Sequence, residues 1–249
     1  MAGKIQTGET VYVSCSRVKE LAERGVALYE TKITEVDGQL ARVGLPTGQP
    51  SEWISFSLLH RDVSILIINI GDFYSEHSLL DPLAKSVGQF CRLLVPDDQI
   101  RQVRVRSLDE LVTLWRAEQV MYSHVVWIGH GAKDGIRFAV DGWVDADKIN
   151  LSLRVHGAPK KTFISLCCQH GYKSFGGKVS NSAICQHFIG PFHSVPGAVA
   201  SQFCQTFLSS HFLDGKTAGV AFKQARYSVP GKASFRLWKS GDLIAPKNP

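Results

Sequence analysis

Apolar residues along this chain follow two regimes. Up to about residue 60 they alternate with polar ones in short β-prone segments: Thr10-Val11-Tyr12-Val13, Leu28 to Val36, Leu40-Ala41-Arg42-Val43 and Trp53-Ile54-Ser55-Phe56. β-Branched and aromatic side chains suit a pleated, half-buried surface. Asp37-Gly38 stands between the second and third segments, where a tight hairpin turn requires positive φ. Gly44 to Pro50 then supplies the turn residues Gly44, Pro46, Gly48 and Pro50. The pattern predicts a small SH3-like or chromo-like β unit over residues 1–60. Its expected use is to pack on the larger remainder of the chain, with Tyr12, Tyr29 and Trp53 as the aromatics that would hold a peptide instead.

From residue 61 to 249 the pattern predicts a second, larger unit. Ser64-Ile65-Leu66-Ile67-Ile68-Asn69-Ile70 is continuously apolar, as in a parallel strand covered on both faces. Leu79, Leu80, Leu83, Ala84, Val87, Phe90, Cys91 and Leu94 recur at helical spacing. A strand is expected over 100–106, and Ser107-Leu108-Asp109-Glu110 reads as a capping box opening a helix with Leu111, Val112, Leu114 and Trp115. Strands ending at His130 and Cys168 come next, with a small hairpin at Asp141-Gly142 between them. A strand within 182–192 and helices after Pro196 and from Thr217 to Arg226 complete the reading. Strand and helix in alternation give an α/β sandwich of three layers around a mostly parallel sheet.

Composition narrows this picture. A chain of 249 residues, 44% hydrophobic, buries a full core, which excludes disorder as the default. No run of about 18 apolar residues marks a membrane span, and Met1 to Thr7 lacks the apolar centre of a leader. A soluble, cytoplasmic protein is expected. The six cysteines have no paired-ligand spacing, so they read as reduced thiols with neither a disulfide framework nor a metal site. Charge is asymmetric: residues 160–249 hold 11 Lys or Arg against Asp214 and Asp242, while residues 1–159 hold 17 basic and 20 acidic side chains. The basic residues are spread singly, which describes solvated surface and makes nucleic acid the less favoured partner.

Two strand ends carry chemistry. Val125-Val126-Trp127-Ile128 runs into Gly129-His130-Gly131, and Thr162-Phe163-Ile164-Ser165-Leu166 runs into Cys167-Cys168-Gln169-His170-Gly171. In an open parallel sheet both ends lie on one edge, where ligands bind. A thiol and an imidazole brought together there are a nucleophile and its base. Adjacent cysteines on a strand face opposite ways, so only one enters the site. His170 lies too close along the backbone to serve as the base and is expected in the site wall.

These motifs, in this order and spacing, resemble the caspase-like cysteine peptidases: caspases, metacaspases and the bacterial CHAT-type peptidases. The resemblance spans about residues 63–226. It implies a caspase-like sandwich and a cysteine endopeptidase working through a dyad, His130 and Cys168, with no cofactor and no third catalytic residue beyond a backbone carbonyl that orients the imidazole. Cys168 is preferred to Cys167 because in the family a small residue precedes the nucleophile and a glycine follows three positions on. The amides of Gly131 and Cys168 are the expected oxyanion donors, and Asp134, Gln169 and His170 the other expected residues of the site. One departure bears on specificity: metacaspases carry an aspartate two residues before the cysteine to hold a basic P1 side chain, and Leu166 occupies that place. The resemblance further implies a regulated effector, in cell death or antiphage defence, cutting a protein or peptide substrate after activation by a protein partner. A catalytically silent adaptor of the same fold is the alternative.

Overall fold

The alternating N-terminal segments form a five-stranded antiparallel sheet in the computed structural model, which describes residues 5–22, 26–230 and 235–246. β1 (Thr10–Ser14), β2 (Leu28–Asp37), β3 (Leu40–Val43), β4 (Ile54–Ser55) and β5 (Leu59–His60) lie in the order β4-β3-β2-β1-β5. Asp37 pairs with Leu40, so the hairpin turn is made by Gly38, at φ +56°, and Gln39. Val11, Val13, Ile33, Ala41, Val43 and Ile54 point to one side and make a small core of their own. Tyr12 and Leu28 point the other way and join the core of the larger unit. Tyr12 is therefore buried, its hydroxyl donating to Glu30, and it is not the exposed aromatic expected of a peptide-binding face. Arg17 pairs with Asp214, and His60 Nε2 donates to the Phe212 carbonyl at 2.9 Å, which adds polar ties across the seam. The start of the chain, Met1 to Lys4, on which the expectation of no leader partly rests, lies outside the described residues.

The second regime folds around a sheet with strand order β7-β6-β8-β11-β12-β13-β14. β6 (Ile65–Ile70), β7 (Ile100–Val105), β8 (His124–Gly131), β11 (Lys161–Ser165) and β12 (Cys185–Pro191) are parallel. β13 (Phe235–Lys239) and β14 (Asp242–Ala245) close one side antiparallel. The last residues of β8 leave the parallel array and pair with β9 (Gly135–Phe138), which turns at Gly142, φ +70°, into β10 (Gly142–Asp145).

Helices cover both faces, and strand residues alternate between them as the pleat requires. Ile65, Ile67, Val126, Ile128, Ile164 and Ile189 pack under α1 (Asp81–Leu94), α5 (Gly197–Phe212) and α6 (Ala218–Ser228). Leu66, Ile68, Val125, Trp127, Phe163 and Phe188 pack under α2 (Leu108–Glu118), α3 (Ala146–Ser152) and the short α4 (Lys178–Ser180). Each such side chain contributes about 1.5–3 kcal/mol by leaving water. The capping box forms: Ser107 Oγ accepts from Glu110 N at 3.1 Å, while the Glu110 carboxylate reaches one residue further back, to Arg106 N. This is the mixed, mostly parallel three-layer architecture read from the pattern. The differences lie at its margins. β11 stops at Ser165, so both cysteines stand beyond the strand, and β5, β13 and β14 are too short and irregular in pattern to be read from sequence. No helix among the described residues is long and apolar enough to cross a membrane.

Candidate active site

β6 and β8 are neighbours in register, Ile70 beside Gly129. The residues just beyond therefore meet: Asp72 after β6 and His130 near the end of β8. Asp72 is buried, and its Oδ1 accepts from Tyr74 N at 3.0 Å, Ser75 N at 2.6 Å and Ser75 Oγ at 2.9 Å. Its Oδ2 lies 3.3 Å from His130 Nε2, and Ser75 Oγ lies 2.5 Å from the same nitrogen. Burial alone would raise the Asp72 carboxyl; the hydrogen bonds from Ser75 and Tyr74, with the nearby His130, outweigh it and leave the group below the usual carboxylate range. Because Ser75 Oγ spends its proton on Asp72, it must accept from His130. In the neutral imidazole the proton therefore sits on Nε2, pointing at Asp72 and Ser75, and the lone pair lies on Nδ1.

The sequence-based reading contained no third group. Asp72 and Ser75 lie against His130 Nε2 through their side chains, a contact that reading did not include. A signal was present: Ile70-Gly71-Asp72 repeats the form of Ile128-Gly129-His130 at the end of an equally apolar strand. Behind Asp72, Glu76 is nearly buried and paired with Arg106 at 3.0 Å and Arg104 at 3.5 Å, which pins the loop after β6.

The two cysteines differ sharply in surroundings. Cys167 is fully buried in the core under α2 and α3, its thiol near the Trp127 carbonyl at 3.8 Å, and burial pushes it up to about 12. Cys168 is partly exposed. Gln169 follows at φ +63°, a left-handed backbone that costs a non-glycine residue on the order of 1 kcal/mol or more and marks a constrained turn just after the thiol. Its amide faces the His193 carbonyl at 3.5 Å, beyond the end of β12.

Gly131 joins the two strand ends. A Cβ added there would stand 2.4 Å from the Cys168 carbonyl oxygen and 2.7 Å from the His170 ring, so only glycine permits this approach. His170 itself has no exposed surface, which corrects the expectation that it lines the site. Its Nε2–H donates to the Gly135 carbonyl at 3.1 Å, its Nδ1 accepts from Ser165 Oγ at 2.8 Å, and its ring stacks on Phe175 at 3.7 Å. Burial holds it neutral, down to about 3. It is a support beneath the site, tying the loop after β11 to the β8–β9 turn. Asp134 is exposed on that turn, and its carbonyl accepts from Ala146 N at 3.2 Å. On the far side Arg236, Phe192, Tyr172 and Lys133 form a cation–aromatic column, with Phe192 and Tyr172 stacked at 4.2 Å.

No family model matches this chain, and no curated protein matches it. Among solved structures it is similar to a secreted C11 cysteine protease from Bacteroides thetaiotaomicron, determined in complex with an irreversible peptide inhibitor, with a TM-score of 0.53 and 13% identity. The likeness covers 71% of this chain and 66% of that one, just under two thirds of its length. At that identity it shows the fold alone: a mostly parallel sheet flanked by helices, consistent with a caspase-like fold.

Proposed function

We propose that the chain is a cysteine endopeptidase in which Cys168 is the nucleophile and His130 its base. The observation that carries this reading is the hydrogen-bond arrangement at His130: Nε2–H is committed to Asp72 and Ser75, which leaves Nδ1 as the proton acceptor at the edge where the partly exposed thiol stands. In this reading Nδ1 takes the thiol proton, and the thiolate adds to the scissile carbonyl. The amides of Gly131 and Cys168 receive the oxyanion, an interaction worth about 2.7–4 kcal/mol per donor in acyl transfer. The imidazolium then protonates the departing amine, and His130 deprotonates the water that hydrolyses the thioester. Asp72 holds the imidazole and offsets its transient charge.

The reading extends to control. A partly exposed peptidase thiol needs restraint, so we place the chain among effectors switched on by a protein partner, in cell death or antiphage defence, with residues 1–60 as a separate N-terminal unit. The test is a peptide-library digest with new termini mapped by mass spectrometry. Cleavage lost in Cys168→Ala and His130→Ala but kept in Cys167→Ala is expected; cleavage that survives in Cys168→Ala overturns the assignment.

A further inference from the structure

Four of the nine histidines gather at the opposite edge of the sheet. His124 opens β8, His187 lies in β12, His60 ends β5 and His211 sits near the end of α5. Ring centroids are 5.3 Å apart for His124 and His211 and 5.9 Å for His60 and His211. They border a groove of about 1050 Å³ between the N-terminal sheet and the larger unit. Six strand residues at about 3.3 Å each put it roughly 20 Å from His130.

The hydrogen bonds fix what these rings present. Ser123 Oγ donates to the Ser64 carbonyl at 3.1 Å and so accepts from His124 Nδ1–H at 2.9 Å. That leaves a lone pair on His124 Nε2, which has no hydrogen-bond partner although the residue is only 5% exposed. His211 donates Nδ1–H to the Lys216 carbonyl at 2.6 Å, which leaves its Nε2 lone pair. His187 Nδ1 is likewise buried without a partner. Burial first, and then neighbouring positive charge, depresses both His60 and His187 to about 4, so these rings are neutral at neutral pH. An unpaired buried polar atom costs about 1–3 kcal/mol.

Positive potential surrounds these acceptors. Lys160 and Lys239 line the groove, and α6 points its N-terminus in through Ala218 and Gly219, with no side-chain cap from Thr217 and no acid in the first turn. Asp62, the acid among the groove residues, has its Oδ1 occupied by the backbone and hydroxyl of Ser64. Cations and free helix N–H groups call for an anion; imidazole lone pairs call for a hydrogen donor. Chloride and sulfate supply charge without a proton. A phosphate monoester, whose second ionisation lies near pH 6, supplies both. Among the described residues no three ligand-type side chains are posed to hold a metal ion. We infer that this groove binds a phosphoryl group, free or carried on a small molecule, against His124, His187, Lys160, Lys239 and the first turn of α6. Phe56, Leu59 and His60 belong to the N-terminal unit, so an occupant fastens that unit to the sheet.

The test uses the full chain and inorganic phosphate, with sulfate at equal ionic strength to account for the general stabilisation that both ions give by exclusion from the surface. A saturable rise in Tm beyond that in sulfate, about 5 °C or more at a hundredfold excess over Kd, is expected. Lys160→Ala and the double variant His187→Ala/Lys239→Ala remove two exposed lysines and a half-buried histidine and should each weaken phosphate binding at least tenfold by calorimetry. Phenyl phosphate binding more tightly than inorganic phosphate identifies a monoester as the ligand, and the reverse order identifies the free ion. Equal shifts in phosphate and sulfate, or phosphate binding unchanged in both variants, overturns the inference. No peptidase activity is read, so the outcome is independent of the catalytic assignment.

Discussion

Asp72→Asn isolates the group that sequence reading missed. The substitution keeps a side-chain oxygen to accept from Tyr74 N, Ser75 N and Ser75 Oγ, so the loop after β6 holds and stability should change by no more than about 1 kcal/mol. What changes is the atom 3.3 Å from His130 Nε2, from a charged acceptor to an N–H donor. Two unit charges about 4 Å apart interact by about 4 kcal/mol at an effective dielectric of 20. The His130 side chain is 35% exposed, and solvent screening reduces this to about 2 kcal/mol of support for the imidazolium formed in the reaction. That is about 30-fold in kcat. A donor facing a donor also favours the other tautomer, with the proton on Nδ1 and no base for the thiol, a change that costs about 10⁴-fold in a serine-protease triad. The expected loss therefore lies between about 30-fold and 10⁴-fold, in kcat and not KM, measured on the best library peptide. Ser75→Ala, which keeps the carboxylate, should lose about tenfold. An Asp72→Asn enzyme within threefold of wild type would refute the positioning role.

The same geometry sets four further outcomes. Gly131→Ala should destabilise by about 1–3 kcal/mol in urea melts and abolish cleavage, because its Cβ meets the Cys168 carbonyl at 2.4 Å; Gly142→Ala, which meets no neighbouring atom and carries only the backbone strain of φ +70°, should be cleavage-competent. Cys167→Ala should retain activity and lose about 1–2 kcal/mol of stability, since it removes only buried packing. Stability should fall as pH drops below about 6.5, where the unfolded chain gains a proton that folded His170 refuses down to about 3; this residue alone contributes up to ~1.4 kcal/mol per pH unit, and flat urea midpoints between pH 6.5 and 5 would exclude it. Leu166→Asp should cost several kcal/mol without conferring cleavage after Lys or Arg, because Leu166 packs in the core under α1 and α5, where a carboxylate has no partner.

How much of this was legible in the chain depends on the range of the interaction. The mostly apolar runs at 64–70, 125–128 and 162–166, rich in β-branched and aromatic residues and too short for a buried helix, announced buried parallel strands from local sequence alone. Gly129-His130-Gly131 and Cys167-Cys168 were legible for the same reason. The choice between the cysteines rested on family spacing; their faces were not decided by strand alternation, since β11 ends at Ser165, and it is packing that sends Cys167 under Trp127. His170 read as a wall residue because its neighbours in sequence are reactive, whereas its place is set by Ser165, Gly135 and Phe175, partners from three segments.

Asp72 could not be read locally, since 58 positions separate it from His130 and an Asx turn after a strand is commonplace. It becomes readable once strand order is known. In a parallel sheet, residues just beyond the last paired position of neighbouring strands are forced together, because the strands end in register and the next peptide units have nowhere else to project. β6 beside β8 then brings Asp72 to His130. The same rule applied to β12 sends Phe192 and His193 to the loop that carries Cys168, and there the His193 carbonyl faces Gln169 N at 3.5 Å while Phe192 stacks on Tyr172. Topology thus fixes which loops border the thiol, and the residue types at those few loop positions decide what the site can hold.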